Sequence, residues 1–164
     1  MKRWARSVPK PGPDADGPNA GMRPAESAEI RGKAENMQDL DEFTAAYIEA
    51  ALWSTNDEST DSGGDPLDAN HTAGDIAPET LARMVADCQA FQTANAEHIC
   101  DGNVTTSYSA AEQAGHDFWL TRNGHGAGFW DGDWDESVSK ILTDAAHAFG
   151  EFNLYVGDDG KIYS

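Results

Sequence analysis

The sequence has few basic residues beyond its first 38 positions. The first 38 residues hold seven basic and five acidic side chains, and the remaining 126 hold only four basic against 24 acidic, a net charge of −20. A field of this sign repels nucleic-acid phosphates and anionic lipid, and it attracts basic partners. We therefore expect no direct nucleic-acid ligand and no membrane contact. Two interpretations of the charge stay open: a basic, for example DNA-binding, protein partner, or solubility and salt tolerance without any partner.

Cysteines and long apolar runs are also scarce. Cys88 and Cys100 are 12 residues apart, about 18 Å if one helix runs through both, which is too far for a disulfide. No apolar run approaches the roughly 20 residues of a membrane span, and the opening residues lack the apolar stretch of a secretory signal. We therefore expect reduced thiols and a cytoplasmic location.

Proline is concentrated at the start of the chain, since five of the seven prolines fall within the first 24 residues. Such a segment cannot bury enough apolar surface to offset its ordering entropy. We predict a disordered basic tail at residues 1–36, followed by one acidic α+β domain at residues 37–164. An additional hypothesis is that the tail is a translated leader and that the native start is Met37.

The helical signals of the domain are periodic apolar positions and capping residues. They predict a first helix at residues 40–53 and a second from Pro78 over roughly 22 residues. A short third helix should begin after Ser109 and end at Gly115. The polar, acidic segment at residues 54–77 lacks periodicity, and we expect it to be a mobile loop.

The densest stretch is "GHDFWLTRNGHGAGFWDGDWDES", residues 115–137, which holds three of the five tryptophans. An Asn-Gly pair between aromatic-rich runs is a strong signal for a β-hairpin, and a turn at Asn123-Gly124 would place Arg122 opposite His125. A helix opening near Asp133 should follow, and then a second hairpin that turns at Asp159-Gly160 with Lys161 opposite Asp158. The predicted fold class is α+β: two to three N-terminal helices, then β-hairpin, helix and β-hairpin, which form one antiparallel sheet.

The same stretch supplies the candidate partner- or ligand-binding residues. Arg122 either neutralises acidic neighbours or recognises a carboxylate or phosphate, with His125 as a donor or general acid. The aspartates after Trp130 resemble the start of a calcium-binding loop, but that pattern requires Gly and Glu at the positions where this chain has Glu136 and Leu142. The spacing of the His and Cys residues fits no zinc site. We expect no metal and no cofactor, and we assign no catalytic residue. The candidate set is Trp119, Arg122, Asn123, His125, Trp130, Asp131 and Asp133.

The block "AGHDFWLTRNGHGAGFWD", with "YIEAALWST" before it and "FGEFNLYVGDDGKIY" after it, resembles a family of small acidic proteins of bacteriophages and mobile elements. The resemblance spans roughly residues 40–164; it implies a cytoplasmic, phage-associated accessory protein and no assigned activity. We expect a non-enzymatic protein that binds a host or phage protein through an acidic surface, with nucleic-acid mimicry as a narrower version. The alternative is a small enzyme or ligand-binding domain at residues 116–131, which would use Arg122, His125 and either His116 or Asp131.

Overall fold

Four α-helices form the frame of the computed structural model, which describes residues 40–59 and 64–164. The helices are α1 (Glu42–Ser54), α2 (Pro78–Ala94), α3 (Ala110–Arg122) and α4 (Glu136–Ala148). Two antiparallel strand pairs accompany them: β1 (Asn56–Asp57) with β2 (Asp65–Pro66), and β3 (Tyr155–Val156) with β4 (Ile162–Tyr163). The α+β class predicted from the sequence is confirmed. The prediction of a single antiparallel sheet is wrong, because the described strands form two separate pairs.

The predicted basic tail at residues 1–36 and the hypothetical start at Met37 lie outside the described residues. Within residues 54–77, Leu67 is buried and its N–H donates to the Thr55 carbonyl at 2.8 Å. The side chain of Asp57 accepts from the N–H and the hydroxyl of Ser59 at 2.9 and 2.6 Å. This segment therefore contains short strands and local turns, and its mobility stays a prediction.

Helix α1 lies at the centre of the core. Asp41 caps its first turn, since one carboxylate oxygen accepts from the Thr44 N–H at 2.9 Å and the other accepts from the Thr44 hydroxyl, also at 2.9 Å. Eight of its 13 residues are buried, so the helix contacts the core on more than one side rather than along a single stripe. Its most extensive packing is against α3.

Gly115 lies inside α3 and does not end it, which corrects the predicted short helix. A Cβ at this position would overlap the carbonyl oxygen of Phe43 and come within 2.9 Å of the Ala46 Cβ. The glycine therefore allows the backbones of α1 and α3 to approach closely. The sequence signal was ambiguous because glycine both ends helices and permits such contacts.

The predicted hairpin at Asn123-Gly124 is also wrong, because these residues end α3 instead of joining two strands. The His125 N–H donates to the Leu120 carbonyl at 3.0 Å, and the Gly124 N–H donates to the Thr121 carbonyl at 3.2 Å. With Gly124 at φ +66°, this is the Schellman arrangement of a helix C-terminus. A glycine with positive φ serves a helix end and a hairpin turn equally well, so Asn-Gly alone cannot distinguish them.

The C-terminal hairpin is confirmed, with a shift in register. Val156 pairs with Ile162 and Tyr155 pairs with Tyr163, so Lys161 lies opposite Gly157 and not opposite Asp158 as predicted. A two-residue type I′ turn needs positive φ at Asp159 as well as at Gly160, and among the described residues only glycines have it. The turn is therefore one residue longer, with Gly160 alone at φ +78°.

Candidate functional site

Arg122 is held in a buried network at the end of α3. Its Nη1 donates to the Asp87 carboxylate at 2.8 Å and to the Tyr47 hydroxyl at 2.9 Å. Its Nε and Nη2 donate to the carbonyls of Gly150 and Phe149 at 2.8 and 3.2 Å. Burial raises the pKa of Tyr47, and the Arg122 charge opposes that shift. The guanidinium joins α1, α2, α3 and the segment after α4, so the geometry assigns Arg122 a structural role.

The predicted pairing of Arg122 with His125 across a turn is absent from the described part of the chain, because the turn itself is a helix terminus. His125 is half-buried and lines a cleft at the surface, whereas Arg122 is buried in its hydrogen-bond network and does not line this cleft. The two residues proposed to act together therefore belong to different environments.

A cleft of about 610 Å³ lies between the C-terminal ends of α1 and α3 and the edge of β3. We call it the α1–β3 cleft. It brings together three of the residues singled out from the sequence, namely Trp119, Asn123 and His125. The other residues that line it are Ser54, Thr55, Asn56, Glu58, Ser59, Asn153, Leu154, Tyr155 and Val156.

Two of the predicted residues fix the floor of the cleft. Trp119 is buried, and its indole Nε1 donates to the Ser54 hydroxyl at 2.8 Å. The Asn123 amide nitrogen donates to the Trp119 carbonyl at 3.0 Å, while its oxygen accepts from the Phe152 N–H at 2.8 Å. These bonds tie α1, α3 and the approach to β3 together, so the cleft is built by fixed groups.

The remaining predicted residues, Trp130, Asp131 and Asp133, lie in a separate segment, residues 128–136, which ends at the first residue of α4 and which we call the Trp130 loop. Trp130 is 43% exposed, and Asp131 accepts from the Gly128 N–H at 3.0 Å. Asp133 is half-buried and accepts from the Gln113 amide at 3.4 Å. Exposed carboxylates at Asp135 and Glu136 follow, where α4 begins. The loop thus presents an aromatic side chain among acidic ones.

Asp117 was not among the candidates, yet it has the most unusual carboxylate environment of the described residues. It is buried in α3 and accepts from the Gln113 amide at 3.0 Å and from the Trp134 indole at 2.7 Å. Burial raises the pKa of Asp117 to about 6, and these two hydrogen bonds lower it only in part. The Gln113 and Asp117 spacing of four residues on a helix was the available sequence signal.

His116 was considered as a catalytic group of the alternative function, and it lies on α3 away from the cleft lining. Its Nε2 is 3.9 Å from a Glu49 carboxylate oxygen, and its ring lies near Tyr108. Within residues 40–59 and 64–164, no group of three or more His, Cys, Asp or Glu side chains could hold a metal ion. In the same ranges, every helix is too short or too polar to cross a membrane.

Comparison of the chain with family models, with curated proteins and with solved structures finds no match. The resemblance to acidic phage proteins therefore stays a prediction.

Proposed function

We propose that this protein is a non-enzymatic binding protein of the phage accessory type, which acts in the bacterial cytoplasm on a basic protein partner. The observation that carries the proposal is the Trp130 loop, where an exposed tryptophan is surrounded in sequence by exposed or half-exposed carboxylates. Tryptophan is enriched among the residues that dominate binding energy, and surrounding charges steer the encounter and select the partner.

The basic side chains of the domain do little to offset this negative surface. Arg122 is buried with Asp87 and Lys140 bonds Asp144 at 2.7 Å, which leaves Arg83 and Lys161 as the other basic residues after position 38, against 24 acidic ones. The exposed carboxylates come from many elements, including α1, β2, α2 and the C-terminal hairpin. A field of this extent raises the association rate of a basic partner.

The test is retention of basic proteins from a bacterial lysate on the immobilised full chain, followed by mass spectrometry. We expect DNA-binding proteins to be retained at low salt and released at high salt, because screening weakens contacts between exposed charges. Failure to retain any basic protein at low salt would contradict the proposal. For a retained protein, competition by duplex DNA for the same surface tests the narrower proposal of nucleic-acid mimicry.

Matched substitutions locate the contact. Trp130→Ala should weaken binding of a retained partner by about 30-fold, the effect of a hot-spot side chain. Trp53→Ala is the control, since Trp53 is similarly exposed at 45% but lies on α1. Asp135→Asn with Glu136→Gln should also weaken binding more than Glu151→Gln with Asp158→Asn, which removes the same charge elsewhere. Equal losses in both charge pairs would show that overall charge, and not the Trp130 loop, holds the partner.

The alternative inferred from the sequence, a small ligand-binding domain, has support of its own. The α1–β3 cleft brings Trp119, Asn123 and His125 together in a volume typical of small-molecule sites.

A further inference from the structure

We propose that the α1–β3 cleft binds a small neutral polyhydroxylated molecule of the sugar class. Its volume of about 610 Å³ lies within the range of roughly 300–1,000 Å³ found for ligand pockets. The proposal rests on the cleft alone and does not depend on a protein partner at the Trp130 loop.

In residues 40–59 and 64–164, most of the hydrogen-bonding side chains of the cleft are uncommitted. Among the described residues, no other side chain or carbonyl bonds the side chains of Thr55, Asn56, His125, Asn153 or Tyr155. Together they offer hydroxyls, two amides and an imidazole, which both donate and accept. Ligand hydroxyls can replace water on these groups without breaking a bond that the fold needs.

The charge of the lining selects against anions. Glu58 is the one carboxylate that faces the cleft in the described ranges, and no lysine or arginine lines it there. The whole chain carries a formal charge of −18, so phosphorylated sugars, nucleotides and carboxylic acids would be repelled. A single exposed carboxylate is also a weak anchor for an amine, because water and salt screen it. Neutral hydroxyls match the amide-rich lining best.

An aromatic ring at the rim supplies the apolar contact. Tyr155 is 58% exposed, and its ring stacks on Tyr163 with centroids 5.9 Å apart. Tyr155 also lines the cleft, and an exposed aromatic ring can pack against the C–H surface of a sugar ring. Leu154 and Val156, which pack against the core, also belong to the lining of the cleft.

The floor of the cleft is fixed before any ligand arrives. The Trp119 bond to Ser54 and the two Asn123 bonds to backbone groups hold α1, α3 and the start of β3 in place. A rigid site loses less conformational entropy on binding, which favours a small ligand that can make few contacts.

The test is a ¹⁵N-edited NMR titration of the full chain with four neutral sugars: glucose, galactose, mannose and N-acetylglucosamine. Putrescine and glucose 6-phosphate serve as cationic and anionic probes. We expect at least one neutral sugar to shift the backbone amides of residues 55–56, 125 and 153–156 with millimolar affinity. No response to any of the four sugars, or a response to putrescine or glucose 6-phosphate alone, would overturn the proposal.

Variants separate cleft binding from nonspecific contact. Tyr155→Ala and Asn153→Ala each change an exposed side chain, and each should weaken sugar binding by about tenfold. Tyr108→Ala is the control for the first, because Tyr108 is 53% exposed and outside the cleft lining. Asn70→Ala is the control for the second, since Asn70 is exposed and also outside the lining. Equal affinity in both cleft variants and the wild type would overturn the assignment.

Discussion

Asp87 and Asp117 are buried in the same core and have opposite surroundings. They are 9% and 4% exposed. The Asp87 carboxylate accepts from the Arg122 guanidinium at 2.8 Å, whereas Asp117, within residues 40–59 and 64–164, accepts only from two neutral donors, the amide of Gln113 and the indole of Trp134. Hydrogen bonds from neutral groups stabilise the charged form less than a cation does. Burial therefore raises the pKa of Asp117 to about 6.

The difference shows where a strongly acidic chain places its few cations. Arg122 is one of only four basic residues after position 38, and it also bonds the carbonyls of Phe149 and Gly150. It therefore fastens the segment after α4 to α2 and α3 while it neutralises Asp87. Asp117 links α3 only to the nearby Trp130 loop, through the Trp134 indole, and its other donor, Gln113, is one turn away on its own helix.

Replacing Arg122 should lower the stability of the protein more than any other substitution proposed for these two carboxylates. Arg122→Met leaves the Asp87 carboxylate buried without its partner, and we expect the free energy of unfolding to fall by about 3–5 kcal/mol. Urea denaturation at pH 7 measures this decrease in the free energy of unfolding. Adding Asp87→Asn should recover part of the loss. Lys140→Met removes only an exposed ion pair with Asp144 and should change stability by less than about 0.5 kcal/mol. A loss for Arg122→Met no larger than that of Lys140→Met would show that the network is not a structural hub.

Neutralising the other carboxylate should change how stability depends on pH. Because the folded-state pKa of Asp117 is about 6 and its ordinary value is 3.8, the folded protein holds this proton more tightly than the unfolded chain does. The stabilisation of the folded state by the proton on Asp117 is complete below about pH 4 and is lost as the pH rises through about 6. At pH 7 the ionised, buried carboxylate costs about 2–3 kcal/mol.

Asp117→Asn should remove this dependence, since the amide oxygen can still accept from Gln113 and Trp134. The difference in unfolding free energy between variant and wild type should therefore rise in the variant's favour between pH 4 and pH 7, as followed by denaturation at several pH values. Other carboxylates titrate in both proteins and cancel in the difference. A difference that stays constant over this range would contradict the raised pKa.

Helices and hairpins were predictable from the sequence where a local signal is compatible with only one structure. The helix that starts at Pro78 and the C-terminal hairpin follow from a proline at a first helical position and from alternating apolar residues before Asp159-Gly160. Gly115 and Asn123-Gly124 each allowed two structures, and the alternative was realised in both. Helix–helix contact decided the first, and the Schellman bonds decided the second.

The candidate sites were predictable only in part, for a different reason. Arg122 meets Asp87 across 35 residues and Tyr47 across 75, and such contacts leave no local pattern in a sequence. Trp119, Asn123 and His125 do meet at one cleft, but they come from a helix and its terminus. Their other cleft partners, at residues 54–59 and 153–156, were outside the predicted site altogether.

The smallest change in stability should come from Asp133, the carboxylate of the Trp130 loop that lies near Asp117. Asp133 and Asp117 both accept from the Gln113 amide, at 3.4 and 3.0 Å, and the negative charge of Asp133 contributes to the raised pKa of Asp117. Asp133→Asn removes this repulsion. We expect a small decrease in the pKa of Asp117 and a gain in stability below about 0.5 kcal/mol at pH 7.

Carboxyl-detected NMR titration of Asp117 measures the decrease, with Asp158→Asn as the charge-matched control in the C-terminal hairpin. An equal shift in both variants would mean that Asp117 responds to the total charge of the protein. A shift confined to Asp133→Asn would mean that it responds to the loop itself. In that case a basic partner on the Trp130 loop should also lower the pKa of Asp117, because a cation beside Asp133 acts on the buried carboxylate in the same direction as removal of the Asp133 charge.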